Sequence, residues 1–135
     1  MYSNILIPVL IDEDYDPRAS FAAARALAGG SAKFTVMHVL EAIPGFVSFQ
    51  ISADVLAATH REAERLLAES AKGLPGAATH LISGHPGRDI VGYADENDID
   101  CIVITSHRPG LEDYFLGSTA SRVVRHAQCA VHVIR

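Results

Sequence analysis

Five short apolar runs, separated by stretches of helical periodicity, constrain this chain more than any other feature of it. They are Ile5 to Ile11, Lys33 to Leu40, Ala78 to Ser83, Asp100 to Thr105 and Ala130 to Ile134. Near-continuous apolar runs of this length read as strands buried on both faces. Pro8 falls near the end of the first run, where a strand can give way to a loop. The acidic stretch Asp12-Glu13-Asp14-Tyr15-Asp16 follows, and Pro17 can open the next helix, continued by Ala19, Phe21, Ala22, Ala24 and Leu27. Gly29-Gly30 are expected to stop it. Ala42 to Gln50, with Pro44 and Gly45, reads as a loop or lid. Ser52 to Lys72 reads as a long helix with an apolar stripe of Val55, Ala58, Ala63, Leu66, Leu67 and Ala71, broken at Gly73 to Gly76. Gly84-His85-Pro86-Gly87 turns into a helix from Arg88 to about Asn97, and a short amphipathic segment spans Ala120 to Ala127. Strands alternating with helices make βαβ units, so the expected fold is three-layer α/β with a parallel sheet covered on both faces. Ligands in such sheets bind beyond the carboxyl ends of the strands.

The last thirty residues carry the most chemistry. After Cys101-Ile102-Val103-Ile104 come Ser106-His107-Arg108-Pro109 and the turn Gly117-Ser118-Thr119. Gly117 lacks a Cβ and lets backbone approach a ligand. Ser118 is expected to cap the helix, leaving the amides of Thr119, Ala120 and Ser121 as donors at its positive end. His107 and Arg108 can converge on the same anion, which together makes a phosphate cradle. The plainer alternative is an ordinary strand, loop and capped helix.

Composition narrows the rest. A chain of 135 residues, 49% hydrophobic and without low-complexity tracts, is expected to fold as one domain over residues 1–135. The net charge of −5 argues against nucleic-acid binding. No apolar stretch approaches the roughly 18 residues of a membrane span, and the start Met1-Tyr2-Ser3-Asn4 does not read as a signal peptide. A cytoplasmic location is expected, with no membrane partner. Cys101 and Cys129 are expected as buried free thiols within strand-like runs.

Val103-Ile104-Thr105-Ser106-His107-Arg108-Pro109, Leu116-Gly117-Ser118, Val123-Val124-Arg125-His126-Ala127 and Val131-His132-Val133-Ile134-Arg135 resemble the C-terminal half of universal stress proteins. The likeness is nearest to the small single-domain F/G-type branch. Ile5-Leu6-Ile7-Pro8-Val9 and Met37-His38-Val39-Leu40 stand where that family has its first and second strands, so the resemblance spans the chain. It implies a Rossmann-like fold of the adenine nucleotide alpha hydrolase type with strand order 3-2-1-4-5. It further implies a homodimeric stress-response protein that binds ATP, ADP or AMP, with a magnesium ion carried in by the phosphates. Turnover is expected to be slow at most, because no general base stands beside a nucleophile.

The resemblance also assigns residues. The family's phosphate pattern is Gly, two residues, Gly, nine residues, Gly-Ser/Thr. Thr105 falls at the first Gly and Arg108 at the second, with eight residues between Arg108 and Gly117. Side chains at Thr105 and Arg108 obstruct backbone approach, while Arg108 supplies a charged donor fork. Leu10 occupies the position of the family's acidic residue, and Asp12 either substitutes for it or caps a turn. Pro8, Val9 and Leu10 line an adenine slot, with Ile104 beside it. Val39 matches the position whose main chain recognises adenine, though alone it reads as a core valine. Gly84 begins a loop that can lie over ribose or phosphates. The dimer is expected through the last strand, with Val131 and Val133 at the contact. The alternative reading is a protein whose site has closed at Leu10, Thr105 and Arg108 and which acts through its surface.

Other signatures are missing. Asp12 to Asp16 begins like a calcium loop, but Pro17 stands where its turn needs Gly and Ala23 where it needs a bidentate Glu. The seven histidines form no zinc pattern, with His60 and His80 expected at the surface and His38 and His132 as structural strand residues. Neither dinucleotide nor P-loop glycine patterns occur, nor a nucleophile elbow. A receiver-type phosphotransfer fold fails because the third strand ends at Ser83 and no lysine follows the fifth.

Overall fold

The computed structural model describes residues 1–45, 49–106 and 116–135. Its elements are β1 (Tyr2–Pro8), α1 (Arg18–Leu27), β2 (Ala28–Glu41), α2 (Ala53–Ala71), β3 (Ala78–Gly84), α3 (Pro86–Glu96), β4 (Cys101–Thr105), α4 (Ser118–His126) and β5 (Ala130–Ile134). The sheet is parallel throughout, in the order β3-β2-β1-β4-β5. Strand β1 is central, and Ile5, Leu6 and Ile7 are each fully buried.

Side-chain alternation along the strands divides two cores. Ile5, Ile7, Val36 and Val103 pack under α1 and α2 with Phe21, Ala24, Leu67 and Leu74. Leu6, Met37, Val39 and Ile104 pack under α3 and α4 with Ile90, Ala94, Ala120 and Val123. The runs of β1 and β4 read as continuous because the middle of the sheet is buried from both sides, whereas β3 and β5, at its edges, are only half-buried rather than buried on both faces.

Several boundaries differ from those read in the sequence, each for a local reason. Strand β1 ends at Pro8, although Val9 still donates its N–H to Met37 O at 2.8 Å. Helix α1 ends because Ala28 turns extended (φ −78°, ψ 143°), so Gly29-Gly30 are strand residues rather than a stop. The strand gains length there: Tyr2 pairs with Ala28 and Asn4 with Lys33, so β2 bulges against β1. Helix α3 starts at Pro86 rather than Arg88, since proline fits a first helical position and His85 caps it. Helix α2 has the expected cap, Ser52 accepting from Val55 N–H at 3.2 Å.

Side-chain expectations are adjusted as well. Cys101 is buried in β4, but Cys129 is only half-buried and precedes β5. His80 is half-buried, its ring 4.5 Å from that of Tyr93, rather than a free surface residue. His60 pairs with Glu64 at 2.8 Å on exposed α2. In edge strand β5, Val131 and Val133 are half-buried against the α3–α4 core, and His132 faces outward. No described helix is long and apolar enough to cross a membrane.

Candidate functional site

The carboxyl ends of β1, β2 and β4 open into one cleft of about 310 Å³. Pro8, Val9, Leu10 and Asp12 line it from β1 and its loop. Val39 lines it from β2, together with Met37, His38 and Glu41. Ile104 and Ser106 come from β4, with Thr105 between them, and Gly117, Ser118 and Thr119 come from the start of α4. Residues from four separate segments thus meet where β1 and β4 diverge from each other's connections, the switch point of the sheet. Pro86 and Ile90 of α3 complete the wall.

One contact closes the C-terminal side. Ser106, 2% exposed, accepts the Gly117 N–H on its carbonyl and donates its own N–H to Ile134 O at 2.7 Å. Residues eleven apart in sequence are therefore adjacent, and α4 begins beside the end of β4. His107 and Arg108, expected in the phosphate cradle, lie outside the described residues.

The helix start differs by one residue from expectation. Gly117, extended at φ −62° and ψ 161°, is the N-cap, and Ser118 is the first helical residue with no side-chain cap bond. Ser121 N–H is engaged with Gly117 O at 2.9 Å, so the amides ahead of the first helical bond belong to Ser118, Thr119 and Ala120. The change moves the donor set one position toward the cleft. A glycine needs no side chain to cap, because its small size leaves that end open to a ligand.

The β1 side is pinned by a residue that sequence reasoning took as purely structural. His38 Nδ1 lies 2.7 Å from Val9 O, and a carbonyl only accepts, so Nδ1 carries the proton and donates. With Val9 N–H on Met37 O, both backbone groups of Val9 are tied to β2. That holds the start of the Leu10–Asp12 loop at the cleft. The signal in the sequence was only a histidine at a strand end, which does not separate a clamp from a core residue.

Gly84 does not reach this first cleft. It lines a neighbouring one of about 490 Å³ with Ala42, His85, Gly87 and Arg88. Glu41, Pro86, Ser118 and Thr119 belong to both, so the two clefts adjoin along one wall. His85 Nδ1 accepts Arg88 N–H at 3.4 Å, and Asp89 Oδ2 accepts His85 N–H at 2.7 Å. Among the described residues, no group of three or more His, Cys, Asp or Glu side chains is gathered to hold a metal.

A doubly wound parallel sheet with an apolar cleft ending at a helix N-terminus is the architecture of a class of small α/β domains. The model described as Universal stress protein family matches residues 1–135, and the chain belongs to that family. It is 32% identical over 149 residues to universal stress protein G of Salmonella typhimurium, covering the whole of both chains. The solved structure of universal stress protein UspA from Lactobacillus plantarum aligns with a TM-score of 0.78 and 29% identity, covering 99% of this chain and 98% of that one. The universal stress protein from Archaeoglobus fulgidus in complex with dAMP shares the fold, with a TM-score of 0.67, 23% identity and coverage of 99% and 98%.

Proposed function

We propose that this protein binds an adenine nucleotide, ATP or its ADP and AMP products, and acts as a stress-response sensor in the cytoplasm. The observation that carries the reading is the make-up of the first cleft: apolar walls from Val9, Val39 and Ile104 run into the amides of Ser118 and Thr119. An aromatic base suits the first part, and a phosphate suits the second. The dAMP held by the Archaeoglobus relative supports the same assignment. Pro8, Val9 and Leu10 flank the base, the Val39 main chain faces its edge, and Asp12 reaches the ribose. Ser106, His107 and Arg108 complete the phosphate side with Gly117 and the Ser118 hydroxyl.

Magnesium fits only as a passenger of the phosphates. Asp12 and Glu41 are the two cleft carboxylates among the described residues, and one or two carboxylates plus phosphate oxygens suffice for that ion. The protein is a binding protein rather than an enzyme, with slow hydrolysis at most. Edge strand β5 is the homodimer contact, through Val131 and Val133 and the strand's outer hydrogen-bonding side.

Native mass spectrometry of freshly purified protein tests both parts, with the released ligand analysed after denaturation. A dimer carrying adenine nucleotide supports the reading. A protein that stays empty in millimolar ATP and magnesium overturns it. Thr105, a side chain in the cleft at a family glycine position, favours the second reading, a closed site and action through the surface. Gly117→Val separates the two: it removes a nucleotide-induced rise in melting temperature under the first, and there is no rise to remove under the second.

A further inference from the structure

The second cleft is lined by the ionisable residues Glu41, His85 and Arg88, with Ser118 and Thr119 on the wall it shares with the first. Because His85 Nδ1 takes the Arg88 amide, the neutral ring carries its proton on Nε2 and keeps a donor there. Arg88 meets Asp89 only through Nε, at 3.4 Å, and its Nη groups have no hydrogen bond among the described residues. Asp89 itself is turned back onto His85 N–H. A cleft that continues the first, with a guanidinium fork and an imidazole donor, suits a multiply charged anion. We propose that His85 and Arg88 form a distal wall for the polyphosphate tail of the ligand, and that they set the preference for a triphosphate over a monophosphate. The inference rests on the nucleotide reading and adds the residues that read tail length.

The two residues stand on the far side of the shared wall from the base slot. A monophosphate at Ser118 and Thr119 ends at that wall, and a triphosphate crosses it. Each charge-assisted hydrogen bond gained there corresponds to about tenfold in affinity.

The test is calorimetric titration of the intact protein with AMP and with ATP, magnesium present, for the wild type and a His85→Asn/Arg88→Gln double variant. Asn keeps an N-cap acceptor for α3 and lacks the imidazole donor, so the helix start is preserved. Melting curves check that the variant folds. The expected result is a fall of about tenfold in the ratio of ATP to AMP affinity, with Arg88→Lys falling less than Arg88→Gln. A ratio within about twofold of the wild type overturns the inference and leaves the nucleotide reading standing. Failure of wild type to bind either nucleotide overturns both.

Discussion

Gly84 and Asp89 share one position in space: a Cβ on Gly84 would overlap Asp89 Oδ2, the oxygen that accepts the His85 N–H at 2.7 Å. The glycine is required by the carboxylate that folds back over the strand end, not by a left-handed backbone. Gly84→Ala should push Asp89 away and lose that bond, costing about 1–3 kcal/mol in denaturant unfolding. In an Asp89→Ala background the same change should cost little, a coupling that a double-mutant cycle reads directly.

His38 and Val9 make a second such pair. His38→Ala leaves the Val9 carbonyl, in a residue 4% exposed, without its side-chain donor. Stability should fall by about 1–3 kcal/mol. Nucleotide affinity should fall as well, because the start of the Leu10–Asp12 loop loses one of its two ties to β2. A His38→Ala variant with wild-type stability and affinity would contradict the clamp.

Glu41 lies on the wall shared by the two clefts and opposes any phosphate that crosses it. Glu41→Gln should tighten ATP binding in EDTA by about fivefold, from about 1 kcal/mol of relieved repulsion. With magnesium present the gain should shrink, because the cation shields the carboxylate. Titrations with and without the metal measure the difference.

Asp100 joins the β1 start to the α3–β4 turn. Burial raises its carboxyl, but bonds from Ser3 N–H (2.8 Å), Asn4 N–H (3.0 Å) and the Ser3 hydroxyl (3.0 Å) outweigh that and hold it below its ordinary 3.8. A depressed folded value favours the charged form in the native state. Its stabilisation is complete above the ordinary value and is lost as pH falls through the lowered one. Melting temperature should therefore drop on acidification below about pH 4, and Asp100→Asn should flatten that part of the curve.

Burial, reinforced by Cys129 and Asp100, pushes the Cys101 thiol up to about 11. Cys129 is also raised, chiefly by burial, but is half-exposed. A disulfide reagent at about pH 8 should label Cys129 first and reach Cys101 only on unfolding. Simultaneous labelling of both in the native protein would contradict the packing of β4.

The strands and their burial were legible from their apolar content alone, since both faces of every inner strand meet a helix. That Pro8, Val9, Val39 and Ile104 share one cleft was legible in the same way, because the ends of strands that alternate with helices gather at one rim of the sheet. Helix and strand ends were read less well. Gly29-Gly30 look like a stop, yet the bulged pairing of β2 with β1 supplied partners that drew both into the sheet. Ser118 looks like a cap, yet the Ser106–Gly117 contact made the preceding glycine the cap. That Gly84 lines the adjoining cleft rather than the first one was not legible, because its neighbours there come from β2, α3 and α4.

The amino-acid sequence by itself determined the layer architecture of this protein and the segments that carry its chemistry. Burial and periodicity are properties of nearest neighbours along the chain, and residue type reports them. Only the tertiary structure decided which of those residues share a wall. The His38 bond to Val9, the return of Asp89 over Gly84, and the adjoining clefts joined by Glu41, Ser118 and Thr119 all depend on contacts between segments distant in sequence. Such contacts follow from how the strands are ordered and how far each extends, quantities that local composition does not encode.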